Sequence, residues 1–494
     1  MSITQLMLLI GDLSAARDVY LTQHSLRFDG TADYLGWSNP SASNRTTNTF
    51  SFWFKPMENA GAFASFFQQR QATLGTQDLQ FFIHMPVVSG RNSLQILGQE
   101  SGTNDIFLDS GTDLNFEAGT WYHLVVAVDT TQGVSSDRVK VWIDGQLYTN
   151  WATGTYPSQN YITGLNRAST RMLISARRPN SSATLDRYSN IQLAEYHFID
   201  GTAYDASYFG ETRDGVWLPK EVTGVTYGNN GFYLDFADSS TAADLGNDVS
   251  GNGNDFSVNG NITADDQLID TPNLRFASFD RNNTNSGMLF SEANLGLQAP
   301  NDSTWYNTLA TQPIGPSDKI YFEWSNNQST YLGYMGLSDS LIASSATNHL
   351  GETGTSYGFF IVNATTLKAS HNGTDTNIST STTTGPRILM CAIDRPNGEI
   401  HFGFNGVWMD GTNSSTTPIY PFYTNVPTTG NYYAAGSAAT YGSVIYNLVS
   451  NFGQDHTFGG AKSPLLTPYS DANGVGEFYY QPPSGFLALA TEYK

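Results

Sequence analysis

The sequence predicts an all-β protein, with two antiparallel, jelly-roll-like β-sandwiches in series after a short N-terminal helix. Two observations carry this expectation. One pattern, an apolar strand, a turn and an alternating strand closed by a glycine dipeptide, occurs twice, at residues 121–148 and 388–406. The composition agrees: 13% aromatic residues, only 14% charged residues, and loops crowded with Ser, Thr, Asn and Gly.

In the first copy Tyr122, Leu124, Val126 and Val128 alternate with Trp121, His123, Val125 and Ala127, so both faces are largely apolar. A strand of this kind belongs inside a sandwich. Val139, Val141 and Ile143 then alternate with Arg138, Lys140 and Trp142, which places one face in the core and one outside. Asp144-Gly145 closes the hairpin, because glycine accepts the positive φ of a tight turn. In the second copy Ile388–Ile393 leads to Asp394, and Pro396-Asn397-Gly398 turns the chain. Ile400, Phe402 and Phe404 then alternate with His401, Gly403 and Asn405 up to Asn405-Gly406.

Taken in order, residues 1–24 form a segment of their own, where Leu6, Leu9, Leu13 and Ala16 have helical spacing. Their apolar face is expected to pack on the chain itself or to mediate assembly. The first sandwich is expected over 25–238, with strands near 26–28, 50–55, 66–69, 79–84, 93–97, 172–176 and 191–198, and a closing strand at Phe232, Leu234 and Phe236. Residues 239–272 read as a polar linker. Within it Asp244, Asp248 and Asp255 offer oxygen ligands for calcium, with hydrogen-bonded turn caps as the alternative. EF-hand spacing is absent, and no cofactor is required by any motif. The second sandwich is expected over 273–494, closed by a C-terminal strand.

A formal net charge of −21 and the lack of a Lys/Arg cluster argue against nucleic acid or an anionic membrane as partner. The single cysteine, Cys391, sits mid-strand and reads as a core residue; alone it can form neither an intrachain disulfide nor a thiolate metal site. Leu6–Ile10 is too short to span a bilayer and no basic residue precedes it, so synthesis in a cytoplasm without export or membrane insertion is expected.

Glycan cleavage on a β-sandwich needs two carboxylates across a groove. Glu195 has His197 and Ile199 at the matching positions, no His cluster occurs, and there is no Gly-x-Ser-x-Gly elbow. The expectation is a binding protein and not an enzyme. Asn150, Trp151, Tyr156 and Tyr161 are the candidate carbohydrate-binding residues, since aromatic faces stack on sugar rings and amides bond hydroxyls. The alternative is that Trp151 covers the sandwich edge while the tyrosines pin the loop. Trp37 and Trp305 are further candidates on the same logic, and the acidic chain favours a neutral or cationic glycan.

Several segments also carry a family resemblance. SLRFDGTADYL, FSFWFK, WYHLVVAVD, RVKVWIDGQLY and IQLAEYHFIDG resemble, in that order, the laminin-G-like, concanavalin A-like jelly rolls, whose glycan or calcium sites lie on rim loops or on the concave face. Residues 273–489, with KIYFEWS, the Asp394 to Gly406 hairpin and Asn451-Phe452-Gly453-Gln454, resemble a SPRY domain, which implies a binding module. The whole arrangement is similar to virion and tail-fibre proteins of marine tailed phages. That similarity implies a homo-oligomer, with a trimer favoured, on the virion surface. Its partners would be virion proteins and a host-surface glycan or protein. Capsid decoration through virion contacts alone is the alternative, and a glycan-cleaving enzyme the more remote one.

Overall fold

The computed structural model describes residues 20–38, 42–58, 63–71, 80–100, 103–179, 184–325, 333–362, 366–379, 387–409, 414–417, 421–442 and 444–492. The expected helix in 1–24 lies almost wholly outside them. No α-helix occurs among the described residues, and four 3-10 turns are the only helical elements there.

The first sandwich packs two eight-stranded antiparallel sheets. One runs in the order Gln146–Tyr148, Val139–Ile143, Tyr122–Asp129, Thr47–Pro56, Asn190–Asp200, Ser25–Asp29 and Gln267–Leu268, with Phe232–Leu234 also paired to Asn190–Asp200. The other runs Thr153–Thr155, Thr103–Asp109, Gln95–Glu100, Gln80–Met85, Ala64–Gln71, Thr170–Ile174, Tyr34–Ser38 and Ser257–Asn259. Period-two alternation sends Phe50, Phe52, Phe54, Leu124, Val126 and Val128 of the first sheet onto Phe67, Phe81, Ile83 and Met172 of the second, all fully buried. Phe52 stacks on Tyr196 with centroids 4.7 Å apart. Burying one such side chain contributes about 1.5–3 kcal/mol.

The outer face of the first sheet is covered too, which explains why the strand at 121–128 is apolar on both sides. Val125 and Ile199 pack beneath Ala206 and Phe209, while Trp53, Trp121 and Ala194 meet Trp217. Asp144 and Gly145 have φ of 48° and 77°, and Asn405 and Gly406 have 49° and 81°, so both dipeptides make the expected left-handed turns.

Residues 239–272, expected as a polar linker, also contain strands. Ser257–Asn259 pairs with Tyr34–Ser38 and Gln267–Leu268 pairs with Ser25–Asp29, so this segment supplies an edge strand to each sheet of the first sandwich. Strands of three and two residues are too short to show alternation in the sequence. The aspartates cap turns: Asp248 accepts from the backbone N–H of Tyr233, Ser250 and Asn254, Asp255 from that of Asp248, and Asp244 from Thr241. No group of three or more His, Cys, Asp or Glu placed to hold a metal occurs among the described residues.

The second sandwich also packs two eight-stranded antiparallel sheets, around a core that includes Trp324, Phe359, Phe402, Phe452 and the fully buried Cys391. Leu274–Phe276 pairs with Ala490–Glu492, so the C-terminal strand closes against the start of this unit. Between the sandwiches Arg27 reaches Asp266 at 2.9 Å and Asp455 at 3.0 Å. Nearby, Lys55 and the Trp121 indole N–H both meet the buried carboxylate of Asp270.

Candidate functional site

The outward side chains of the second sheet of the first sandwich form the candidate site. In Gln80–Met85 the alternation puts Phe81, Ile83 and Met85 in the core and Gln80, Phe82 and His84 outside. The ladder brings Gln99, Leu97 and Gln95 opposite them on one side, and places Gln68 opposite Phe82 and Arg70 opposite Gln80 on the other. Gln80, Phe82, His84 and Leu97, together with Arg177, Arg178 and Pro179, line a cleft of about 330 Å³. Its Arg177–Pro179 wall is tied to the sheet, since Gln68 Nε2 and Arg70 Nη1 donate to the Arg178 carbonyl at 3.1 and 2.9 Å and the Arg178 N–H donates to Gln68 Oε1 at 2.6 Å.

The hydrogen bonds across the floor have a direction. Asp109 Oδ2 accepts from Gln95 Nε2 at 2.8 Å, which leaves Gln95 Oε1 to accept from His84 Nε2 at 2.7 Å. His84 therefore carries its proton on Nε2 and a lone pair on Nδ1, and Nδ1 has no hydrogen-bond partner among the described residues. In the same way Gln80 Nε2 donates to Gln99 Oε1, Gln99 Nε2 donates to Asn104 at 3.2 Å, and Gln80 Oε1 is left without a donor among the described residues. His84 and Gln80 are only 9% and 4% exposed. Burial, aided by the neighbouring Arg187 and Arg177, pushes the His84 imidazole down to about 4, so it is neutral at physiological pH. An acceptor buried without a donor costs about 1–3 kcal/mol, and a ligand hydroxyl would recover it.

Of the four sequence-predicted residues, Asn150 and Trp151 lie on the segment that crosses from the edge strand Gln146–Tyr148 of one sheet to the edge strand Thr153–Thr155 of the other, while Tyr156 and Tyr161 lie in the loop that follows Thr153–Thr155. Asn150 is exposed, and its Nδ2 donates to Asp113 at 2.7 Å. Trp151 is half-buried against the first core, edge-on to Tyr148 at 4.7 Å; Tyr156 packs on the same core. Tyr161 donates to Asp105 at 3.0 Å. Thr153–Thr155 lies three strands from Gln80–Met85, about 14 Å at the usual strand spacing. Trp37 packs against the first core, and Trp305 is buried beside Tyr334, His349 and Tyr441 in the second sandwich.

Two buried clusters under the outer face of the first sheet have the residue types of catalysis but not its geometry. Ser51 Oγ lies 2.9 Å from His123 Nε2, while the Trp217 indole N–H donates to His123 Nδ1 at 3.0 Å. Since an indole only donates, the His123 proton sits on Nε2 and points at Ser51, so the imidazole cannot act as its base. Burial pushes His123 down to about 3. Glu195, at φ 49° in a bulge where two residues oppose Phe52, accepts from the hydroxyls of Tyr20 and Tyr233, each at 2.7 Å. Its carboxyl is buried, which alone would raise it, yet His197 and the hydroxyls hold it below the usual range.

Residues 29–184 match the family described as Laminin_G_3, the concanavalin A-like lectin/glucanases superfamily. The match covers the strands from Tyr34–Ser38 to Thr170–Ile174, and with them the whole cleft. No curated protein matches the chain. Among solved structures, the SPRY domain of human HERC1 is 16% identical, with 35% of this chain and 96% of that chain covered and a TM-score of 0.25. The LG1-3 region of the laminin α2 chain is 9% identical, with 87% and 62% covered and a TM-score of 0.30. The enzymatically active domain of Bacteriophage CBA120 tailspike protein 2 is 15% identical, with 40% and 31% covered and a TM-score of 0.24, so this chain spans under a third of its length.

Proposed function

We propose that the first sandwich is a carbohydrate-binding module and that the cleft on its second sheet holds the sugar. The observation that carries this reading is the pair of acceptors without a partner among the described residues, His84 Nδ1 and Gln80 Oε1, in residues that flank Phe82 on the cleft floor. Sugar hydroxyls would supply the missing donors once the side chains that shield both acceptors and the 6%-exposed Phe82 move aside, and the half-buried Leu97 supplies an apolar patch beside them. Binding without cleavage is favoured by the nearby carboxylates, because Asp109 is engaged by Gln95 and Asp186 by Arg177. A hydrolytic pair needs one carboxyl to donate a proton and another to attack or to activate water.

The test is a glycan array followed by calorimetry on the purified chain. Gln80→Leu and His84→Phe should each abolish binding while the Tm stays within a few degrees. If Trp151→Ala abolishes binding and the cleft variants do not, the sandwich edge is the site and the cleft is not. The context we propose follows the sequence resemblance: a homo-oligomeric appendage on a tailed-phage virion, where many copies multiply a weak single-site affinity. Labelling virions with an antibody to this chain tests that context, and unlabelled particles would remove it.

A further inference from the structure

We propose that the His456 imidazole is an acid-operated latch on the surface segment 463–468 of the second sandwich, holding the segment while neutral and releasing it when protonated. The segment, Ser463-Pro464-Leu465-Leu466-Thr467-Pro468, belongs to no strand or helix. It is anchored at both ends. Before it, the Ala461 and Lys462 N–H groups donate to the Phe458 and Thr457 carbonyls at 3.3 and 2.9 Å; after it, Tyr469 and Phe478 exchange backbone hydrogen bonds of 2.9 and 2.8 Å. Between those anchors, a single hydrogen bond to the described residues holds the segment: the Leu465 N–H donates to His456 Nε2 at 3.2 Å. Leu466 is fully exposed and Leu465 half-buried.

An imidazole nitrogen accepts only while it carries a lone pair, so Nε2 can hold Leu465 only in the neutral ring. That ring keeps its proton on Nδ1, which lies 3.5 Å from the Glu477 carboxylate. A second proton must go to Nε2. It puts two donors face to face at Leu465, while the new positive charge strengthens the contact with Glu477 on the opposite side. The ring itself is fixed, because Asp455 pins the turn that carries it, accepting from the Thr457 and Gly459 N–H groups at 2.8 Å each; the segment is therefore what moves. The charges around His456 favour the exchange. It is 5% exposed, and burial alone would keep it neutral, but Glu477, then Asp455 and Asp265, hold it above its ordinary 6.5. Asp455 also binds Arg27, and Asp265 comes from the first sandwich. His24 faces Glu477 too, but burial lowers it, so the proton taken up near neutral pH goes to His456.

Hydrogen–deuterium exchange on the full chain tests the latch. Pro464 and Pro468 have no N–H, and the Ser463, Leu466 and Thr467 N–H groups make no hydrogen bond among the described residues, so protection in a peptide over 463–468 reports Leu465. With exchange corrected for the intrinsic effect of pH, that protection should fall about tenfold between about pH 8 and about pH 5, the weight of one hydrogen bond. The backbone bonds of Tyr469 and Phe478 should keep their protection. His456→Gln, which offers an acceptor oxygen at every pH, should remove the pH dependence, and His456→Leu should leave 463–468 unprotected throughout. Leu465 protection that is the same at both pH values overturns the inference. So does a fall shared by Tyr469 and Phe478, which would be a general loosening of the sandwich. A pH dependence that survives in His456→Gln overturns it as well, because another group would then be titrating. The wild-type comparison decides the matter even where a variant fails to fold.

Discussion

Glu323 is fully buried in the second sandwich, where its two oxygens accept from the backbone N–H groups of Tyr479 and Tyr480 at 2.9 and 2.8 Å and from the Tyr321 hydroxyl at 2.7 Å. Burial outweighs these donors and raises the carboxyl from 4.5 to about 7. The folded chain therefore keeps a proton that the unfolded chain releases. Stability from this group is fully present below pH 4.5 and is lost as the pH rises through 7. Denaturation of wild type and Glu323→Gln across pH 5–8 should show the variant weaker at pH 5 by about 1–3 kcal/mol, because an amide N–H₂ now faces a backbone donor, with the gap closing toward pH 8 as the wild type loses stability. Its pH slope should also be flatter; an unchanged slope would mean that another group titrates. Trp151 gives a second test at this scale. Its contacts with Tyr148 and the first core mean that Trp151→Ala should lower stability by about 1–3 kcal/mol, as for a partly buried ring, measured by urea titration.

Secondary-structure elements show where the sequence is readable. The two hairpins are legible because Asp144-Gly145 and Asn405-Gly406 state the turn and alternating Val, Ile and Phe state the strand. The cleft is not legible in that way. Gln80, His84, Gln95 and Gln99 each look like ordinary solvent-facing positions, and only the ladder pairing of Gln80 with Gln99 and of His84 with Gln95 makes them one surface. A signal was present: QFFIHM, QILGQE and ASFFQQRQ place Gln80, Gln95, Gln99 and Gln68 on the non-core positions of three strands that turn out to be neighbours. Residues 239–272 failed for another reason, since their edge strands take their identity from Tyr34–Ser38 and Ser25–Asp29 and not from their own composition. Limited proteolysis should accordingly spare 239–272 until the first sandwich unfolds, and early cleavage there would show that these edge strands are loosely held.

At the scale of the molecule, the joint between the sandwiches is polar, buried and shared. Arg27 binds Asp266 of the first unit and Asp455 of the second, Asn294 Nδ2 donates to the Ala118 carbonyl at 2.9 Å, and the Ala293 N–H donates to the Met57 carbonyl at 2.9 Å. Removing one partner from a buried ion pair costs about 3–5 kcal/mol, because it strands the opposite charge. Calorimetry should show the wild-type chain unfolding in one transition. Arg27→Ala should split that transition into two, while two transitions already present in the wild type would show that the units are thermally independent. The same joint has a mechanical meaning. If the cleft tethers a particle to a surface, as proposed above, the particle would hang from the first sandwich, and every pull on that tether would cross to the second through Arg27 and the paired backbones. With no slack segment between them, the two sandwiches form a stiff bracket that holds the cleft at a constant angle to whatever the second sandwich is mounted on.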